Sequence, residues 1–314
     1  MSTKKQNTDQ EEIKDEASKD HQITDQKITK SPDQKNTPSP EPKATSKKKA
    51  ASTAKAADAP DRKIAKMPDY DTSIVIPYLA SKAKGEELRY AVRAWVKHFP
   101  EGKVVIIGDK PAWAGKDLVH IPHKPQSTNP QIDVAHKMIA AIASNKVSDV
   151  FIWTNDDIYT LCPVDIADII TLKSHGRLLK RGVANGLYAE NCKNTVAALK
   201  KQGITDPFDY ATHTPVVMEK SSLAKVIERY GCEKEGHLVY SLYANTVFPD
   251  HRPIITKNDG SGSICASVYR ANPDPKVLKR VVASRKWLNN NDAGWKAVEP
   301  ALKGLFADKC RFEK

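Results

Sequence analysis

Residues 151–157 read Phe-Ile-Trp-Thr-Asn-Asp-Asp, an apolar run that ends abruptly in two carboxylates, and this stretch decides the fold prediction. Residues 149–154 have the length and the β-branched and aromatic content of a buried strand. In open α/β sheets, ligands bind beyond the carboxyl ends of the strands. Asn155, Asp156 and Asp157 therefore form a candidate binding site, and the alternative is a polar turn that caps the next segment.

Strand and helix patterns alternate in the segments that precede this stretch. Short apolar runs predict buried strands at residues 73–77, 103–107 and 118–121. Residues 86–98 repeat apolar side chains at helical spacing, and Asn129 followed by Pro130 is a typical helix start. This order predicts an α/β fold with a mostly parallel sheet flanked by helices.

Residues 1–68 differ in composition from the rest of the chain and contain almost no large apolar side chains. Such a segment cannot bury enough apolar surface to offset its ordering entropy, so we expect a disordered, Lys-rich tail. A solvated linker is the simplest interpretation of this tail, and a weak phosphate-binding arm is the alternative. Residues 69–314 are long enough for one α/β domain.

Positive charge extends beyond the tail. Residues 1–68 carry 15 basic and 11 acidic side chains, a balance of +4, and the remainder carries 35 and 27, a balance of +8. The domain itself should therefore favour anionic partners such as nucleotide diphosphates, anionic glycans or DNA. The sign of the charge does not choose among these partners.

Several classes of protein are disfavoured by what the sequence lacks. The five cysteines are scattered and form no C-x-x-C pair, which argues against a zinc ribbon or a disulfide framework and is typical of a cytoplasmic protein. No run approaches the ~20 apolar residues that a membrane span needs. The glycine spacings of a P-loop or a dinucleotide fingerprint are missing, which argues against nucleotide hydrolysis and redox chemistry.

The adjacent carboxylates of Asp156 and Asp157 suggest a cation. Like charges in a partly dry cleft repel, and a divalent metal removes that cost. Mg²⁺ and Mn²⁺ prefer oxygen ligands and often share one or two carboxylates with substrate phosphates. Because side chains alternate along an extended segment, we expect Asn155 and Asp157 to face one side and Asp156 the other.

Ordered blocks along residues 70–314 resemble a family of nucleotide-sugar-dependent transferases of the GT-A type found in bacteria and phages. The family is related in pattern to the Stealth group of capsular sugar-phosphate transferases. The 151–157 block is the most specific match. The other matching blocks are residues 74–78, 87–90, 106–113, 212–215, 241–246 and the ending from 305 to 313.

The resemblance implies a GT-A-like, Rossmann-related fold with a metal-assisted donor site. It divides the domain into a donor-nucleotide half, 69–170, and an acceptor half, 171–314. It makes Asp157 the first metal ligand, and places Asp156 against the donor sugar or a metal-bound water, with Asn155 beside them. The metal is expected to be Mn²⁺ or Mg²⁺, and the donor a UDP- or GDP-sugar.

Other positions follow from the same resemblance. Tyr78 and Asp109 lie at the ends of the first two strands, where such folds hold the nucleoside. Arg89 and Arg93 are one helical turn apart and could grip phosphate, the alternative being a solvated helix face.

Two further site residues are implied in the second half. His213 belongs to a His-x-Pro element that similar sequences place beside the acceptor, where it would act as general base or complete the metal shell. A structural histidine is the alternative, and Asp209 stands further from His213 than the family pattern has its aspartate. Asp259, in the glycine- and serine-rich residues 257–263, is expected as a lid or second metal contact, and a flexible turn is the alternative.

The leading hypothesis is a cytoplasmic, metal-dependent glycosyltransferase that passes a sugar from a nucleotide-sugar donor to an acceptor hydroxyl. The acceptor is a glycan or, given the phage-type relatives and the basic balance, a hydroxymethylated base in DNA. Transfer of a sugar-1-phosphate is the first alternative. A non-catalytic, basic nucleic-acid-binding protein on a transferase fold is the second.

Overall fold

The computed structural model describes residues 72–180, 185–256 and 264–314. The described residues form ten strands: β1 Ser73–Tyr78, β2 Lys103–Gly108, β3 Val119–Pro122, β4 Val150–Trp153, β5 Ile158–Thr160, β6 Lys173–Ser174, β7 Val216–Glu219, β8 Ile254–Ile255, β9 Cys265–Val268 and β10 Trp287–Asn290. Their helices are α1 Glu87–His98, α2 Pro130–Ala143, α3 Ile166–Ile170, α4 Leu187–Lys201, α5 Lys220–Tyr230, α6 Val239–Val247, α7 Pro275–Ser284 and α8 Asp292–Leu305, with a short 3-10 helix at Leu178–Lys180.

The main sheet has five strands in the order β3-β2-β1-β4-β7. The first four are parallel, and β7 runs antiparallel to β4 at the edge. Helices pack on both faces, so the predicted α/β fold with a mostly parallel sheet is confirmed. The predicted strands and the helix starts in residues 73–154 agree with the structure to within one or two residues, and the Asn129 side chain caps α2 by accepting from Gln131 N–H at 3.0 Å.

Strand burial explains why this part of the chain could be predicted. Ile74, Val75, Ile76 and the centre of β2 are fully buried, because both faces of the sheet are covered. Side chains that point to one face pack with α2, α5 and α6, and those that point to the other pack with α1. A parallel strand covered on both sides is a continuous apolar run, which is the pattern these segments show.

The chain leaves the main sheet directly after the predicted site. β5 pairs antiparallel with β10, which pairs parallel with β9, and these three strands form a second sheet. β6 and β8 form a separate parallel pair. The second sheet thus joins residues from both sides of the predicted boundary at residue 170, and the division into donor and acceptor halves stays a prediction.

Other expectations lie partly outside the described residues. The predicted tail, residues 1–68, falls in the part of the chain that the structure does not describe. Among the residues it does describe, no helix is both long and apolar enough to cross a bilayer.

Candidate functional site

The site lies where the order of the strands reverses. From β1 the chain moves to β2 and β3 on one side, and then returns to place β4 on the other side of β1. Open α/β sheets bind ligands at such a switch point, in the crevice beyond the carboxyl ends of the two strands. Tyr78 ends β1, and the sequence Asn155-Asp156-Asp157 follows β4, so both lie at this crevice.

A tight turn holds the two aspartates at the junction of the sheets. Thr154 N–H still bonds to Val75 O of β1 at 3.1 Å, and Ile158 N–H then closes the turn on Asn155 O at 3.3 Å. β5 begins at Ile158 and belongs to the second sheet. Asp156 and Asp157 are therefore fixed at both ends by paired strands, although they lie in a turn and not in a strand.

Both carboxyl groups are held in an environment that disfavours their charge. Burial, opposed by a backbone hydrogen bond and reinforced by Glu87, raises the pKa of Asp156 to about 6. Burial, followed by the neighbouring charge of Asp156, raises the pKa of Asp157 well above its ordinary value. Asp157 Oδ1 is fully enclosed and has no hydrogen-bond partner among the described residues. An enclosed, unpartnered carboxylate oxygen is costly unless a cation or a donor occupies the space beside it.

The two aspartates have partly different neighbours. Burial raises the pKa of Tyr78 most, and among the charged groups Asp156 raises it most. Asp157 instead acts on Tyr240 of α6 and on Cys265 of β9, both of which have a pKa raised chiefly by burial. Besides burial, both carboxylates raise the pKa of Tyr159, so their neighbours overlap, and the expectation that the two side chains face opposite sides stays a prediction.

Glu87 and Lys137 also act on the charge of Asp156, although no sequence pattern indicated a role for either residue. Glu87 is buried at the start of α1, where its carboxylate accepts from Gly85 N–H at 2.7 Å and Lys84 N–H at 3.2 Å. Lys137 is buried on α2 beside Asp133, with 2.5 Å between Nζ and Oδ2, and it lowers the pKa of Asp156. The crevice therefore collects more negative than positive charge, which favours a cation.

Tyr78 and Asp109 lie next to each other at the crevice. Asp109 follows β2, its N–H donates to Tyr78 O at 3.2 Å, and its carboxylate accepts from Ala80 N–H at 2.8 Å. This close approach requires the preceding glycine: Gly108 has φ of 128°, and a Cβ there would lie 1.9 Å from Tyr78 O. A backbone conformation that favours glycine thus brings the ends of β1 and β2 together.

Asn155 and His213 line the same cavity, of about 110 Å³, which we call the small cavity. Tyr240 also lines it, and its hydroxyl donates to Asn155 Oδ1 at 3.4 Å. The small cavity thus brings Asn155 and His213, 58 positions apart in the sequence, to one place, while the expected roles of His213 as general base or metal ligand stay predictions.

His213 is held in a strained backbone conformation. Its φ of 50° is the only positive value at a non-glycine residue in the described part of the chain. Its carbonyl accepts from the Cys265 thiol at 3.4 Å, and its ring meets Tyr269 edge-on, with 6.2 Å between the ring centroids. Strain of this kind persists where the surroundings over-determine it, and it is concentrated at functional sites. The Asp209 carboxylate, four positions before His213, accepts from Ala211 N–H at 3.0 Å.

Arg89 and Arg93 have carboxylate partners at the end of the chain. Arg93 donates to both carboxylate oxygens of Glu313 at 2.6 and 2.8 Å, and Arg89 donates to the same group at 2.6 Å. Arg89 also pairs with Glu86. Both guanidinium groups are therefore committed to carboxylates. This arrangement argues against the expected phosphate grip and equally against a free solvated face.

The remaining predicted metal contact, Asp259, lies outside the described residues. Within residues 72–180, 185–256 and 264–314, no group of three or more His, Cys, Asp or Glu side chains is placed to hold a metal by itself. The donor set at the crevice nevertheless fits Mg²⁺ or Mn²⁺, because these ions commonly take one or two carboxylates and complete their shell with waters and substrate phosphates. Asp157 Oδ1, which is enclosed and has no hydrogen-bond partner among the described residues, is the candidate ligand atom.

Solved structures with a related arrangement include glycosyltransferases. The galactosyltransferase LgtC, in complex with donor and acceptor sugar analogues, is 11% identical to this chain and has a TM-score of 0.40, with 76% of this chain and 98% of that chain covered. A glycosyltransferase involved in the glycosylation of the major capsid of PBCV-1 is 12% identical and has a TM-score of 0.37, with 69% and 92% covered. No protein-family model and no curated protein sequence matches the chain. Similarity at these low TM-scores does not indicate a function, so the residues at the crevice are the basis for the functional assignment.

Proposed function

We propose that this protein is a metal-dependent glycosyltransferase that moves a sugar from a nucleotide-sugar donor to an acceptor hydroxyl. The observation that carries the proposal is the pair Asp156 and Asp157 at the switch point, with an enclosed and unpartnered oxygen on Asp157. The GT-A resemblance of residues 151–157 supports the same function. These observations concern the donor site. For the acceptor, the excess of basic side chains supports an anionic partner.

Each group at the crevice has a part in the proposed reaction. A bound Mn²⁺ or Mg²⁺ would supply positive charge against the leaving diphosphate. Asp157 would hold that ion, while Asp156 would orient the donor sugar and Asn155 would line the site beside it. Tyr78 and Asp109 lie where the nucleoside would bind, at the ends of β1 and β2.

Transfer itself requires one bond exchange and one proton transfer. The acceptor oxygen forms a bond to the anomeric carbon of the sugar, and the bond from that carbon to the diphosphate oxygen breaks, with its electron pair leaving on the diphosphate. His213, in the small cavity beside Asn155, would take the acceptor proton. The positive φ of His213, at a residue that lines this cavity, supports a functional role for it.

A thermal-shift screen tests the donor assignment. We expect a UDP- or GDP-sugar together with Mn²⁺ to raise the melting temperature, because a ligand that binds only the folded state stabilises it. The nucleotide sugar with chelator should have little effect. If no nucleotide sugar stabilises the chain with either metal, the donor assignment is wrong.

The product released from the donor separates the two transfer reactions. Sugar transfer releases a nucleoside diphosphate, whereas the sugar-1-phosphate alternative suggested by the Stealth resemblance releases a nucleoside monophosphate. We expect the diphosphate because sugar transfer is the proposed reaction, and release of a nucleoside monophosphate would support the sugar-1-phosphate alternative instead. Acceptor screening should include glycans and hydroxymethylated DNA, and steep salt dependence of duplex binding would favour DNA over glycans.

The stability of the metal-free protein should depend on pH through the two aspartates. Their folded-state pKa values are raised, so their favourable contribution is fully present below the unfolded value of about 3.8 and is lost as pH rises through the folded-state values, the one for Asp156 being about 6. We expect the free energy of unfolding to fall by roughly 1–3 kcal/mol between pH 5 and 7.5 in chelator, and Mn²⁺ to restore part of it at pH 7.5.

Urea unfolding at both pH values measures this change. The double variant Asp156→Asn, Asp157→Asn is the control, since it keeps the side-chain shapes and removes both titrations. An equally steep pH dependence in the double variant would assign the effect to other groups.

A further inference from the structure

A second and larger cavity, of about 440 Å³, lies beside the proposed site and has no part in the reaction described above. It runs along the outer edge of β7, between α3 on one side and α6 on the other, and we call it the large cavity. Its size is within the 300–1,000 Å³ of typical small-molecule sites. Aliphatic and aromatic side chains dominate its walls, among them Ile169, Leu172, Val217, Ala244 and Phe248.

A single wall separates the large cavity from the small cavity. Along residues 210–214, Ala211 and His213 line the small cavity, whereas Tyr210, Thr212 and Thr214 line the large one. Tyr240 lines both cavities. The large cavity is therefore next to the proposed site but chemically different from it.

Two charged side chains in the wall of the large cavity, Lys173 and Glu219, form hydrogen bonds with other groups of the protein. Lys173 is buried, donates to Asp168 O and Thr171 O at 2.6 Å each, and lies over the Trp287 ring at 5.0 Å. The Glu219 carboxylate accepts from the hydroxyls of Ser221 and Ser222 at 2.7 and 2.6 Å. Lys173 and Glu219 carry opposite charges and are hydrogen-bonded to protein groups, so the described wall of the cavity has no excess of one charge from this pair that would select an ionic ligand.

Some of the backbone hydrogen-bonding groups along the outer edge of β7 already have a partner. The backbone N–H of Glu219 donates to the Tyr243 hydroxyl at 3.0 Å, so a side chain of α6 already occupies one position that an added strand would need. This contact favours a small molecule over an extended peptide that pairs with the edge.

A pair of threonine hydroxyls lies in the wall of the large cavity. Thr212 and Thr214 are both almost fully buried, and their hydroxyls are 2.8 Å apart. That mutual bond uses one of the two hydroxyl protons. Among the described residues no second partner is assigned to the pair, so the other proton can be donated to an oxygen of a ligand.

We propose that the large cavity is a second binding site, for a neutral and largely apolar small molecule that carries one hydrogen-bond acceptor such as a carbonyl or ether oxygen. Apolar walls supply most of the binding, and the Thr212–Thr214 pair orients the oxygen. This site does not depend on the proposed transferase function.

Titration with prodan, a neutral naphthyl ketone whose emission shifts to the blue in apolar surroundings, tests the proposal. We expect saturable binding at one site. Ala244→Phe fills the cavity from α6 and should weaken binding at least about tenfold, whereas Ala283→Phe, on an exposed position of α7, should bind as the wild type does.

A second variant tests the hydrogen bond without filling space. Thr214→Val keeps the side-chain volume and should weaken prodan binding about three- to tenfold, while binding of 2-ethylnaphthalene, which has no oxygen, stays unchanged. Wild-type affinity in a folded Ala244→Phe variant would overturn the site, and equal losses for both ligands in Thr214→Val would overturn the role of the threonine pair. Asp157→Asn should leave prodan binding intact, so failure of the transferase function would not be mistaken for failure of this site.

Discussion

Replacing Asp157 by asparagine is expected to reduce sugar transfer by about a thousandfold, while leaving the fold intact. The enclosed Oδ1 of Asp157 is the proposed ligand atom for a divalent metal, and removing a group that stabilises developing charge typically costs about 10²–10³ in rate. Asparagine keeps the shape and can still accept weakly, but it is a poor ligand for Mg²⁺ or Mn²⁺. The measurement is the rate of nucleotide release from the donor at saturating Mn²⁺.

The same variant should behave differently in stability measurements. Without metal, Asp157→Asn removes a carboxyl group whose charge is disfavoured by burial, so the melting temperature should be equal to or higher than that of the wild type. Added Mn²⁺ should no longer raise it. Asp117→Asn, in the exposed connection between β2 and β3, is the matched control and should change neither quantity. Transfer within about twofold of wild type in Asp157→Asn would exclude this residue from the donor site.

Replacing Glu313 by glutamine should give the largest loss of stability. The Glu313 side chain is fully buried between Arg89 and Arg93, and it also accepts from Cys310 N–H at 3.0 Å. Removing one partner of a buried ion pair leaves uncompensated charge and typically costs about 3–5 kcal/mol. Because Arg89 keeps some exposure, we expect roughly 3 kcal/mol in urea unfolding. Glu86→Gln breaks the exposed pair on the same Arg89 and should cost less than about 1 kcal/mol.

The loss in Glu313→Gln should disappear in acid. Burial alone would raise the pKa of Glu313, but the hydrogen bonds from Arg93, Cys310 N–H and Arg89 outweigh it and lower the pKa to about 2. A lowered carboxyl pKa contributes stability above the unfolded value of about 4.5 and loses it as pH falls toward 2. The difference between variant and wild type should therefore shrink across this window. A constant difference from pH 6 to pH 2.5 would show that packing, and not charge, holds the end of the chain.

The main sheet and its crevice could be predicted because their signals are local. β1, β2 and β4 are buried on both faces and are therefore uninterrupted apolar runs, and parallel pairing brings their carboxyl ends to one edge. That was enough to bring Tyr78, Asp109 and the aspartate pair together. The Asn129 cap was likewise set by residues within two positions of it.

The remaining parts depend on contacts between distant residues. Arg89 and Arg93 share a helix face as their spacing predicts, but their partner is Glu313, more than 200 positions away. β10 contains Asn289 and Asn290, both buried, and two adjacent asparagines have the composition of a loop. Glu87 and Tyr240 reach the crevice only through the packing of α1 and α6. The spacing of residues along the sequence does not indicate contacts between such distant positions.

The passage of the chain from β4 into β5 has a consequence for how the site can be assembled. Asp156 and Asp157 lie in the four-residue connection between β4 of the main sheet and β5 of the second sheet, so each sheet fixes one side of the turn. Neither sheet can carry the aspartate pair in isolation. A permuted chain opened in this turn would keep every strand and helix and still lose the site, and a fragment that ends after β4 would lose the second sheet as well. The two carboxylates thus lie at the junction of the main sheet and the second sheet, and the site forms only when both sheets have folded and packed together.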